Sequence, residues 1–314
     1  MAHPVRVPDG TPVDRLVQDP EHPLSTSDNP QFDPQPTVSA EPAAPASANM
    51  PERPSIDSAL PELAVPIAVG PPPVENPPWN GWDVLMIVGL TLATIFVSQV
   101  AILFGAHFFL YPRIALNELA QQPILLLISQ FLIDGAVAVF LFLLIEGKYH
   151  TRFWEAIRWD WPTNAWKWLG LGAVMLLALS VLENILPMPK DVPFDKLFSR
   201  PRDAYLLAII AVTLGPLVEE LFFRGFFYPV VARRLGVGWG IFLTALPFAV
   251  MHMPQYGYAW GVLLVILIVG IVCGVVRAAT KSVGVSFLVH AGYNGTQMLI
   301  AVLWTRGFTH MPKG

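Results

Sequence analysis

The sequence predicts an all-α fold: a polytopic transmembrane helical bundle of seven to eight helices that follows a disordered N-terminal tail. Of its 314 residues, 54% are hydrophobic and only 13% are charged, whereas soluble domains contain about 25% charged residues. Seven segments beyond residue 79 are apolar and approach the length of about 20 residues that crosses a bilayer. Residues 1–78 contain no such segment and hold 19 of the 31 prolines.

Two regions follow from this division, a tail over 1–78 and a membrane domain over 79–314. The tail has 11 acidic residues, three arginines and no lysine. Such a segment buries too little apolar surface to offset its ordering entropy, so we predict that it is disordered. Its negative charge argues against binding of nucleic acid, which recruits basic segments.

The predicted membrane segments are bounded by glycine, proline or charge clusters. They cover residues 84–111, 123–145, 165–186, 204–232, 238–253, 259–276 and 283–304, and 187–203 leaves room for an eighth element. The connections on the side of the tail hold eight basic residues and the opposite connections hold six. The positive-inside rule therefore predicts a cytoplasmic tail.

Three of these segments contain polar residues that are costly in lipid. They are Glu219, Glu220 and Arg224 in the fourth segment, Phe248 and His252 in the fifth, and His290 and Asn294 in the seventh. A charged side chain at bilayer depth costs about 2.5–3.5 kcal/mol on insertion scales, and such residues mark polar, protein-lined cavities. The cluster therefore predicts a functional site.

The two glutamates are expected to have different roles. Glu220 and Arg224 are four residues apart, so they are neighbours on a helix and can form an ion pair. Glu219 points about 100° away and has no partner in its own helix, which suits a general base. A turn at Gly236, 16 residues from both Glu220 and His252, brings the two helices together at one depth. Phe248 is expected to pack beneath His252.

The three motifs resemble those of a known family. Glu219-Glu220-Leu-Phe-Phe-Arg224-Gly225, Phe248-Ala-Val-Met-His252 and His290-Ala-Gly-Tyr-Asn294 are similar to the motifs of CPBP intramembrane proteases. That family includes the eukaryotic CAAX prenyl endopeptidase Rce1 and bacterial Abi or lysostaphin-resistance-type proteins. The resemblance covers residues 200–304. It implies that Glu219 activates water with His252, that Glu220 and Arg224 support it, and that His290 and Asn294 hold the oxyanion.

A metal site stays open at this point. Glu219, His252 and His290 are donors that suit Zn²⁺, but no His-Glu-x-x-His motif occurs in the chain. A metal-independent mechanism agrees equally well with the residues. Cys273 is the only cysteine, which excludes both an intrachain disulfide and a thiolate cage.

Three other classes of function agree with parts of the sequence. An ion-coupled transporter would use the glutamates and His252 as a proton relay, and it predicts an internal repeat that residues 84–186 lack. A serine protease would use Ser286 with His290. A catalytically silent membrane scaffold would keep the fold without chemistry.

The residues and the resemblance together predict an intramembrane endopeptidase of the bacterial inner or plasma membrane. Its substrate would be a membrane-embedded or lipid-associated protein or peptide. Its other partner would be the lipid bilayer.

Overall fold

The computed structural model describes residues 75–189, 192–198 and 200–310. Within these ranges all regular structure is helical, which confirms the predicted all-α class. Most of the predicted tail, residues 1–74, lies outside the described residues, so the predicted disorder of the tail stays a prediction.

Seven helices form the bundle in the described part of the chain. They are α1 Gly81–Leu110, α2 Pro123–Lys148, α3 Ala165–Glu183, α4 Pro201–Leu235, α5 Val237–Val250, α6 Trp260–Thr280 and α7 Val283–Trp304. Five of them, α1 to α4 and α6, are long and apolar enough to cross a membrane. The predicted count of seven to eight is therefore only roughly supported. The region 187–203 contains a short 3-10 turn, Pro193–Phe198, where an eighth element had room.

The outer surface of the bundle is apolar, as lipid contact requires. On α1, for example, the side chains of Phe96 and Val97 are 70% and 62% exposed. An apolar surface of this extent is unfavourable in water and matches the hydrocarbon of a bilayer. Five buried polar residues lie on α4, α6 and α7 at and beside the motifs, namely Glu220, Arg224, Arg277, Ser286 and His290.

Helix α4 is interrupted twice, and both interruptions lie beside the motif residues. Its first α-helical part ends at Val212, before Thr213, and a second part runs over Leu214–Glu220. A π-helical turn, Leu221–Phe227, follows and leads into a last α-helical part, Tyr228–Leu235. π-helical turns are rare and occur frequently at functional sites.

The turn between α4 and α5 forms at Gly236, as the sequence predicted. Its φ of 85° lies in the region that glycine adopts without a steric penalty. The hairpin brings α5 back along α4, so that Phe248 and His252 reach the level of Glu219 and Glu220.

Helices α3 and α7 approach each other closely because glycines lie at their crossing. A Cβ atom added at Gly172 would overlap the carbonyl oxygen of Val289, and one at Gly292 would overlap that of Leu169. Two glycines at one crossing let the backbones touch, which is how small residues favour helix packing in membranes.

Gly172→Ala is expected to destabilise the fold by about 1–3 kcal/mol, the usual cost of overpacking a close contact. Gly170→Ala is the matched control, because no atom lies within 4 Å of a Cβ added there. The free energy of unfolding of both variants is measured in detergent micelles. Equal stability of the two would contradict the close crossing.

Candidate active site

Glu220 is the centre of a buried hydrogen-bond network between α4 and α7. Its side chain is fully buried. One carboxylate oxygen lies 2.9 Å from Nη1 of Arg224 and 3.0 Å from Nδ1 of His290. The other accepts a hydrogen bond of 2.6 Å from the hydroxyl of Ser286. The expected pair with Arg224 is therefore present, and Glu220 also holds His290.

Arg224 is fixed by contacts on three sides. Its Nη2 donates to the backbone carbonyl of Gly270 at 2.8 Å, and its guanidinium lies 4.6 Å from the ring centre of Phe248. The Nη1 hydrogens are not aligned with the oxygen of Glu220, so that contact is an ion pair without a well-formed hydrogen bond. A guanidinium so enclosed stabilises a buried carboxylate, which would otherwise be unpaired.

Glu219 faces away from this network and towards two imidazole rings. Its carboxylate oxygens lie 3.9 Å from Nε2 of His252 and 3.7 Å from Nε2 of His290. Both distances exceed the range of a direct hydrogen bond. Polar atoms at such separations are commonly bridged by water, so the three side chains define a place for a small polar molecule.

The orientation of both rings is set by their Nδ1 atoms. Nδ1 of His252 lies 2.7 Å from the carbonyl oxygen of Phe248, and Nδ1 of His290 lies 3.0 Å from the Glu220 carboxylate. A carbonyl and a carboxylate only accept, so each Nδ1 carries a proton and donates. The Nε2 atoms of both rings are thereby directed to Glu219.

Phe248 supports the site as a shared apolar platform. Its ring centre lies 5.0 Å from that of His252 and 5.7 Å from that of His290. The expected packing beneath His252 is thus present and extends to His290 and Arg224. A Cβ at Gly270 would lie 3.0 Å from the Phe248 ring, so this glycine lets α6 approach the platform.

Asn294 lies one turn beyond His290 and binds the backbone of α4 just before its first interruption at Thr213. Its Nδ2 donates to the carbonyl oxygen of Ala211 at 2.7 Å. The primary amide has two N–H groups, so one donor remains for another partner. Asn294 also lines the cavity described next.

A cavity of about 430 Å³ opens in front of Glu219, His252 and His290. Part of its wall is apolar, formed by Leu126, Leu127, Ile133, Leu207, Ile210 and Met298. The remaining polar wall is rich in carboxamides, from Gln99, Gln130, Gln255, Gln297 and Asn294. The helices α1, α2, α4 and α7 all contribute residues to this partly open cavity.

Some functional contacts had no signal in the sequence. Ser286, the nucleophile of the serine-protease alternative, is fully buried, and its hydroxyl lies 2.6 Å from Glu220 and 3.0 Å from the carbonyl of Cys273. On α2, Asp134 accepts from Gln130 at 2.8 Å, and its second oxygen has no hydrogen-bond partner among the described residues. The contact of Ser286 with Glu220 joins two helices and leaves no spacing pattern to detect, whereas Gln130 and Asp134 are four residues apart on one helix.

The donor atoms do not fit a resident metal ion. Within the described residues, the set with ligand atoms inside 4.8 Å of one another is Glu220, Cys273 and His290, and the predicted trio of Glu219, His252 and His290 does not form one. Glu220 is already paired with Arg224, whose charge repels a cation.

Comparison with known families agrees with the motifs. A model of the family described as Type II CAAX prenyl endopeptidase Rce1-like matches residues 201–296. This segment is less than one third of the 314 residues but contains all three motifs, and the match confirms the predicted resemblance there. Comparisons with curated proteins and with solved structures give no match. The match and the five apolar helices indicate an integral membrane protein.

The neighbouring glutamates are expected to differ sharply in their contribution to stability. Glu220→Gln leaves the buried Arg224 without its counter-ion, which costs about 3–5 kcal/mol. Glu219→Gln breaks no short contact and is expected to cost less than about 1 kcal/mol. Unfolding of both variants in the same detergent measures the difference. Similar losses in both would contradict the division of roles.

Proposed function

We propose that this protein is an intramembrane endopeptidase. It hydrolyses a peptide bond in a membrane-embedded or lipid-associated protein or peptide. The observation that supports this most is the convergence of Glu219, His252 and His290 on one cavity. The match to a CAAX prenyl endopeptidase family supports the protease class, and CAAX-type processing is the form of cleavage that the match suggests.

In the proposed reaction, Glu219 acts as the general base on a water molecule. The water lies between the carboxylate and Nε2 of His252, which accepts or steadies its second hydrogen. Glu219 takes one proton as the oxygen attacks the carbonyl carbon of the scissile peptide. The C–N bond of the tetrahedral intermediate then breaks, and the same proton passes to the leaving amine. Positioned acid–base groups of this kind contribute about 10²–10⁴ in rate.

The oxyanion is held by His290 and Asn294. Asn294 has an N–H left after its bond to Ala211. His290 can donate from Nε2 only when both ring nitrogens carry a proton, because Nδ1 is used on Glu220. A charged His290 would then have the carboxylates of Glu220 and Glu219 on its two sides. Donors aimed at the developing charge are usually the largest single contribution to such a reaction.

The lining of the cavity suits an extended peptide. Carboxamides donate and accept hydrogen bonds, so those of Gln99, Gln130 and Gln297 can pair with both groups of a substrate backbone. The apolar wall then takes uncharged side chains beside the scissile bond.

The predicted orientation, with a cytoplasmic tail in a bacterial inner or plasma membrane, belongs to the same proposal.

Glu219→Gln is expected to lower cleavage of a peptide panel by about 10²–10⁴, because the general base is lost. Purified protein in detergent is assayed with each variant at matched folding. Ser286→Ala is the control, because its hydroxyl donates to the paired carboxylate of Glu220 and does no chemistry in the proposed reaction. It is expected to keep cleavage within about tenfold. Undiminished cleavage by Glu219→Gln would refute the proposal, and abolished cleavage by Ser286→Ala would favour a serine nucleophile.

Treatment with a strong chelator is expected to leave the rate of cleavage unchanged. The physical reason is that Glu220 is bound to Arg224, whose charge repels a cation, and that the ligand atoms of Glu219, His252 and His290 do not all lie within 4.8 Å of one another. The rate is measured before and after chelation, then after addition of Zn²⁺. Loss of cleavage with recovery on Zn²⁺ would overturn this prediction.

A further inference from the structure

Arg277 on α6 is a buried cation that the proposed reaction does not use. Its side chain is fully buried. Arginine is almost never fully buried unless it is paired. Its partner is Glu75, the first described residue. Nη1 and Nη2 of Arg277 donate to the two carboxylate oxygens of Glu75 at 2.6 Å and 2.5 Å. This two-point geometry is the strongest form of an arginine–carboxylate pair.

The third donor of Arg277 acts on the active-site helix. Its Nε donates to the backbone carbonyl of Arg224 at 3.2 Å. That carbonyl lies in the π-helical turn, where the N–H of Tyr228 bonds to Phe223, five residues back. In the same register, the carbonyl of Arg224 would accept a hydrogen bond from the N–H of residue 229. That residue is a proline and has no N–H. Arg277 therefore supplies the donor that the backbone lacks.

Residues Glu75–Trp79, which we call the entry segment, hold the same turn at a second point. The indole N–H of Trp79 donates to the carbonyl of Phe226 at 2.8 Å, and the two rings stack with centres 5.3 Å apart. Arg233 at the end of α4 also binds the entry segment, through Asn76, Pro77 and Trp79. The hydrogen bonds of Arg233 within the described residues go to the entry segment and not to Arg224, so the two attachments can be separated by mutation.

From these contacts we propose that Arg277 and Glu75 are positioning residues for the active site. They fix the backbone at Arg224, whose side chain holds Glu220, which in turn orients His290. Glu75 fixes the position of the Arg277 guanidinium, and Arg277 in turn holds the backbone carbonyl of Arg224 in the π-helical turn. The inference rests on the proposed function for its effect on rate, but the geometric link from Glu75 to His290 stands apart from it.

Glu75→Gln tests the link with nearly unchanged size. A displaced reacting group costs rate rather than binding, so kcat is expected to fall roughly tenfold while KM changes less than about twofold. Arg277→Lys, which lacks the Nε donor and the planar fork, is expected to lower kcat at least as much. Arg233→Gln is the matched control: it loosens the same segment without touching Arg224, and kcat is expected to stay within about twofold.

A second readout separates this inference from the proposed function. In ¹⁵N-histidine-labelled protein, Glu75→Gln is expected to shift the ring signals of His290, assigned with His290→Gln, and Arg233→Gln is expected to leave them in place. If the wild-type protein cleaves no peptide but Glu75→Gln still shifts the His290 signals, the proposed protease function is refuted and the positioning role of Glu75 and Arg277 is retained. Equal effects of Glu75→Gln and Arg233→Gln on kcat and on the His290 signals, or no effect of Glu75→Gln, would overturn the positioning role.

Discussion

The buried ion pair between Glu220 and Arg224 is the interaction on which the site depends. An isolated carboxylate in a bilayer is costly, and so is an isolated guanidinium. Together they allow α4 to contain polar groups at membrane depth, with the carbonyl of Gly270 taking one further donor. Helix α7 then reaches the same carboxylate through Ser286 and His290. One charged pair thus defines how α4, α6 and α7 meet.

This arrangement explains why two adjacent glutamates behave differently. Glu220 is buried and has three partners, so its oxygens are committed to structure. Glu219 is 20% exposed and lies beyond hydrogen-bond distance of both imidazole rings. A base must be free to accept a proton and must face the place where substrate arrives. The helical rotation between consecutive residues separates the buried, paired carboxylate of Glu220 from that of Glu219, which lines the cavity.

The sequence allowed the helices and the meeting of the motifs to be predicted, because both follow from periodicity and length. The pair at four residues, the turn at Gly236 and the depth of His252 are geometric consequences of an α-helix. The π-helical turn was not predictable in this way, since Leu221–Phe227 has the composition of any apolar helix. Contacts between distant residues, such as Ser286 with Glu220 or Gly172 with Val289, depend on how helices cross.

The interruptions of α4 show how backbone and chemistry are joined. A π-helical register followed by Pro229 leaves the carbonyl of Arg224 without a backbone donor. In lipid an unsatisfied carbonyl costs several kcal/mol, so the fold must provide a donor from elsewhere. Arg277 provides it, and its own charge then requires a carboxylate, which comes from Glu75. An interruption of the helix beside Glu220 thus requires a second ion pair, and that pair binds the start of the membrane domain to the helix that contains Glu219 and Glu220.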